Sequence, residues 1–202
     1  MSQTMKIIKL NFNINAHKFN ITFVSVSIML KKLRDNMKIE EKRKIDILFD
    51  KYSESHQNPT NKIIHWVCVP LIVFSIIGLI TAIPFPHIAF LGKYNMFLNW
   101  FSLVMAATIY YYLRLSPILS YLMLFFFAIC YFFIVQLEHL EKAGGPDLWQ
   151  VSLIIFVLAW IGQFIGHKIE GKKPSFLDDL KFLLIGPLWL MHFILKRLKI
   201  SY

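Results

Sequence analysis

The stretch IIHWVCVPLIVFSIIGLITAI, residues 63–83, holds no Asp, Glu, Lys or Arg. It matches the roughly 20 apolar residues that a helix needs to cross a bilayer core. Lipid offers the backbone no hydrogen-bond partner, and the run lacks the period-two alternation of a barrel strand, so it reads as a helix. Working outward, Met96 to Leu113, Pro117 to Leu137 and Trp149 to Gly166 are further runs of spanning length. A last run, Leu180 to Leu195, is interrupted by Gly186-Pro187 and reads as re-entrant or interfacial. The fold expected is an all-α, integral membrane helical bundle. It has four transmembrane helices, an N-terminal amphipathic helix and a C-terminal re-entrant or interfacial segment.

Composition agrees, with 56% hydrophobic residues and 17% charged ones. The net charge of +10 invites a nucleic-acid reading, but its distribution opposes it. Residues 1–51 carry 11 Lys/Arg against 5 Asp/Glu, residues 52–167 carry 4 against 4, and residues 168–202 carry 7 against 3. Basic ends flanking a neutral apolar middle fit an anionic cytoplasmic leaflet, so membrane lipid and not nucleic acid is the expected partner. Four crossings put the basic ends and the Arg114 turn inside, and the acidic Glu138 to Asp147 loop outside. The Lys-, Asn- and Ile-rich usage tilts the membrane toward a bacterial inner membrane, with the endoplasmic reticulum as the eukaryotic counterpart.

Residues 1–36 read as a leader or extension ahead of an internal start at Met37, and residues 37–202 as a single membrane domain. Between Ile39 and Tyr52 the apolar residues Ile39, Ile45, Leu48, Phe49 and Tyr52 recur at helical spacing, as in a helix lying on a membrane surface. Asn58-Pro59 then breaks that helix, since a residue preceding proline is pushed out of the α region, and the first span begins near Thr60 or Asn61. Cys68 and Cys130 each stand alone in a span and read as core thiols. Tyr110, Tyr111 and Tyr112 read as interfacial anchors. Gly162 and Gly166, in GQFIG, let the fourth span pack closely on a neighbour.

Seven histidines are sorted by this topology. His65 opens the first span, His167 closes the fourth, and His56 precedes His65 on the same cytoplasmic face. His87 and His139 fall in outside loops, His17 in the leader and His192 in the last segment. Tyr52, Asn61 and Gln163 each stand four residues before one of the three grouped histidines, the spacing that shares a helix face. Glu170 follows His167 by three. Neutral imidazole is the commonest metal ligand, and three of them suit Fe(II), Zn(II) or a related ion. The bland alternative has the same histidines capping helix ends or bonding to lipid headgroups. Lys62 and Lys168 are candidates to attract a substrate carboxylate, against an ordinary role in snorkelling to headgroups.

YSESHQNPTNKIIHWVCVPL, residues 52–71, and WIGQFIGHKIEGKKPSFLDDLKFLLIGPLWL, residues 160–190, resemble the Mpo1-like family. The motifs that carry the resemblance are Y-x3-H-x4-N-x3-H before a proline-bearing span and Q-F-x-G-H-x2-E-x3-P after the fourth, and the layout extends from Ile45 to Leu195. The resemblance implies a membrane Fe(II)-dependent dioxygenase that shortens 2-hydroxy fatty acids by one carbon, an α-oxidation step in sphingoid-base breakdown that consumes O2. It also implies His56, His65 and His167 as iron ligands, with Gln163 and Glu170 at nearby polar positions. A 2-hydroxy acid can chelate iron through hydroxyl and carboxylate while its tail stays in the bilayer. No nucleotide, flavin or haem motif is present, so the electrons for oxygen reduction come from the substrate. The competing expectations are another lipid metalloenzyme, a zinc hydrolase or hydroxylase, and a non-enzymatic lipid-binding bundle.

Overall fold

Helix boundaries follow local chemistry throughout the computed structural model, which describes residues 27–29, 31, 43–90, 92, 98–171 and 182–202. Contacts divide the chain at residue 43, and every helix named below belongs to the unit Lys44–Tyr202. The expected leader and the start of the amphipathic stretch lie almost wholly outside the described residues, as do Met96, Lys172 and Lys173. Among the described residues the secondary structure is helical, without strands.

Helix α1 is Lys44–Ser53, with Ile45, Phe49 and Tyr52 buried at spacings of four and three. Helix α2, Pro59–Thr81, starts where the Asn58 side chain accepts from Thr60 N–H and Pro59 supplies a first residue that needs no amide partner. Helix α3, Trp100–Leu115, opens on a capping box between Asn99 and Ser102. Ser116 alone then separates it from α4, Pro117–Lys142, and caps that helix in turn. Helix α5, Leu148–Glu170, ends at Gly171, whose φ of 70° is the left-handed conformation that glycine adopts without strain. Helix α6 is Ile185–Arg197.

By length and composition α2, α4 and α5 can cross a membrane, and they are the described helices that meet both criteria. The expected span from Met96 to Leu113 corresponds to the 16 described residues of α3, about 24 Å of helix against a hydrocarbon core of about 30 Å. The molecule is thus an all-helical bundle with three helices of spanning length among the described residues.

Helices α2 and α5 make the most extensive pairing. It is antiparallel, because Gly78 meets Ser152, Gly162 meets Cys68 and Gly166 meets Asn61. The GQFIG glycines therefore serve the close packing that their spacing suggests. That pairing brings the start of α2 to the end of α5. Both cysteines are free and buried.

Three expectations change. The apolar face of α1 packs on α6, not on a lipid surface: Tyr52 and Trp189 have ring centroids 5.1 Å apart, and Phe49 and His192 also 5.1 Å. Gly186-Pro187 starts α6 instead of interrupting it, since proline is tolerated in a first turn where amides lack intrahelical partners. Tyr112 is buried, not interfacial, and its hydroxyl donates to the Leu184 carbonyl at 2.8 Å, tying α3 to the entrance of α6.

Candidate metal centre

His56 lies in the bend between α1 and α2, His65 in the second turn of α2, and His167 in the last turn of α5. Each is buried, with 2%, 1% and 8% of its surface exposed. Their ring centroids stand 4.3 Å apart for His56–His65, 5.0 Å for His65–His167 and 5.4 Å for His56–His167. One ring nitrogen from each lies within 4.8 Å of the other two.

Backbone carbonyls fix two of the tautomers. His56 Nδ1 is 2.6 Å from the Tyr52 carbonyl and His65 Nδ1 is 2.9 Å from the Asn61 carbonyl. A carbonyl oxygen only accepts, so each Nδ1 carries the proton and each Nε2 is left with a lone pair. His56 Nε2 is buried and has no hydrogen-bond partner. Nitrogen lone pairs facing one small space fit a borderline-soft divalent cation, and the backbone bond at the opposite nitrogen is the usual way a ligating imidazole is oriented.

Burial, with a smaller contribution from the neighbouring His167, holds the His56 imidazole down at about 4 from its ordinary 6.5, against the opposing bond to the Tyr52 carbonyl. It is neutral at pH 7, as a ligand must be. In the unfolded chain His56 takes up a proton near 6.5, and in the folded chain only near 4. Protonation therefore favours unfolding between those values, and stability present above about pH 6.5 is lost as pH falls toward about 4. The metal-free chain in detergent is expected to show a melting midpoint that drops across this window, with a shallower drop in His56→Gln.

Glu170 holds the loop beside the histidines. Its carboxylate accepts from Gln57 N–H at 2.7 Å, Asn58 N–H at 2.9 Å and the Asn61 amide at 3.0 Å. Those donors lie in the bend and at the start of α2, where a negative charge also suits the helix dipole. Asn61 passes the restraint on, since its side-chain amide also reaches the Ser55 carbonyl at 3.3 Å. The end of α5 thus clamps the loop that carries His56. Glu170→Ala is expected to weaken metal affinity about tenfold, toward the low end for a supporting residue, as measured by competition with a chelator.

A cavity of about 40 Å³ adjoins the histidines, and Tyr52, Trp160 and Gln163 line it with them. Tyr52 stacks on His56 at 4.1 Å and an interplanar angle of 10°. Lys62 and Lys168 do not line it. Lys62 borders a separate groove with Trp66, Lys196 and Arg197, because its direction on α2 diverges from that of Asn61 and His65, and Lys168 is exposed. His87 and His139 are exposed, and His192 packs between Phe49 and Tyr202. His17 lies outside the described residues. Two residues near the centre escaped sequence reasoning. Trp189 lies 5.5 Å from His56 and donates to Ser53 Oγ at 2.9 Å. Trp160 precedes His167 by two helical turns, a spacing that carried the signal.

The sequence model of the family described as 2-hydroxy-palmitic acid dioxygenase Mpo1-like matches residues 43–198. The 2-hydroxy-palmitic acid dioxygenase MPO1 of Saccharomyces cerevisiae is 25% identical over 159 residues, which cover 73% of this chain and 77% of that protein. No solved structure matches the chain.

Proposed function

This chain belongs to the Mpo1-like family, and from that premise we propose that it is a membrane Fe(II)-dependent dioxygenase shortening 2-hydroxy fatty acids by one carbon. His56, His65 and His167 hold the iron. The observation that carries this reading is the meeting of three buried imidazoles within 4.8 Å, two of them with tautomers set by backbone carbonyls. Bound Fe(II) supplies one-electron chemistry with O2 that no side chain offers. The protein's residues orient the ligands, keep them neutral and exclude bulk water.

We also propose four crossings and a cytoplasmic-facing site: α2 and α5 are antiparallel, and α3 and α4, joined through Ser116, would make the return trip between them. The basic flanks put the histidine end on the cytoplasmic side by the positive-inside rule. The polar head of a fatty acid then meets the site near the interface.

The acyl tail has a place to go. A second cavity, about 100 Å³, is lined by Ile77, Phe101, Met105, Thr108 and Tyr112, and Leu183 and Pro187 border both cavities. Met105→Trp fills this chamber and is expected to shift preference to shorter 2-hydroxy acids. Each methylene displaced removes about 0.8 kcal/mol of burial, roughly a fourfold loss in kcat/KM for long chains, measured across a series of chain lengths.

The test of the whole reading is metal and oxygen together. Purified protein is expected to carry about one iron per chain, in keeping with one three-histidine site, and to take up O2 only when given a 2-hydroxy acid. Zinc in the site with turnover in the absence of oxygen would overturn it in favour of a hydrolase.

A further inference from the structure

Helix α5 carries more than His167 into the cavity. Trp160, Gln163 and His167 stand at spacings of three and four, so they share one face, and all three line the same space. Trp160 Nε1 and Gln163 Nε2 are both buried, and neither has a hydrogen-bond partner. Gln163 as a whole is only 5% exposed. Leaving two buried N–H groups without acceptors is unfavourable, and most buried polar groups avoid it.

We infer that these two N–H donors hold the carboxylate of the bound substrate, with the acyl tail directed past Leu183 and Pro187. The inference rests on the proposed function and names the groups that recognise the acid head. An indole N–H only donates, and the unpartnered atom of Gln163 is likewise a donor, so the missing ligand group must bring acceptors. A carboxylate brings two oxygens and can take both bonds at once. Among the described residues no lysine or arginine lines the cavity, and neutral donors are what its described wall offers to an anion. The shared border with the apolar chamber selects an anion bearing a hydrocarbon chain over a small inorganic one. Lys168 borders a neighbouring cavity with His167, whereas Trp160 and Gln163 face the cavity that adjoins all three histidines.

The test compares two ligands on the full chain, iron-loaded in detergent and kept anaerobic so that no turnover occurs. Trp160→Phe removes the N–H and leaves a smaller aromatic ring in place, while Gln163→Glu keeps the shape and adds a like charge. For a 2-hydroxy fatty acid each variant is expected to raise Kd about tenfold or more, the usual scale for losing a bond to a charged group. For the vicinal diol of the same chain length, which lacks the carboxylate, Kd stays within about twofold, and iron content is unchanged. Unchanged acid affinity overturns the inference, as does equal weakening of acid and diol, which a merely structural role produces. A wild-type chain that holds iron yet binds no 2-hydroxy acid overturns the proposed substrate itself. The two failures are therefore distinguishable.

Discussion

His65→Ala is expected to lower both iron content and turnover by at least about 100-fold, beyond the range seen when only a supporting residue is lost. His65 is the central member of the cluster, 4.3 Å from the His56 ring and 5.0 Å from that of His167. It is also the most deeply buried of the three, with 1% of its surface exposed. Truncation removes a lone pair whose direction is set by the Asn61 carbonyl and leaves two imidazoles to hold the ion. The paired control is His139→Ala, the same change at an exposed histidine, for which iron and activity remain at the wild-type level. Metal analysis of both variants beside O2 uptake checks the pair. Full turnover in His65→Ala would falsify the metal-centre assignment.

Gly166→Val is expected to damage packing and site together, destabilising the chain by about 3 kcal/mol, the upper part of the range for overfilling a packed interior. A Cβ at this position overlaps Asn61 Oδ1 and comes within 3.4 Å of Ile64 Cγ2. Neither neighbour is the end of a long flexible side chain. Asn61 is pinned because its carbonyl orients His65 and its amide binds both Glu170 and Ser55. Pushing α5 away from α2 therefore also separates His167 from His65. The expected signature is a lower melting midpoint together with weaker iron binding, measured in detergent on the same preparation. An unchanged midpoint would show that the two helices have slack here.

Much of the architecture was legible because it depends on short-range chemistry. Apolar runs marked the helices, and Asn58-Pro59 marked the start of α2. The misreadings share a cause. Periodicity says which residues lie on one face but not what that face meets. The face of Ile45, Phe49 and Tyr52 was visible as apolar, whereas its partner α6 lies more than a hundred residues away in sequence. Tyr112 looked like an anchor for the same reason, since its acceptor is the carbonyl of Leu184.

The sequence by itself determined an apolar helical chain with basic ends, and it marked His56, His65 and His167 as residues to group. The family was legible as well, because its two motifs carry residues of unusual type at fixed spacing. Tertiary structure alone decided that one ring nitrogen from each of the three histidines lies within 4.8 Å of the others, that Glu170 clamps backbone amides, and that Trp160 and Gln163 bring unpartnered donors to the same cavity. The physical reason is the range of the forces involved. Hydropathy and capping act over a few residues and can be read along the chain, but hydrogen-bond partners are fixed only when α2 and α5 pack closely enough to exclude water.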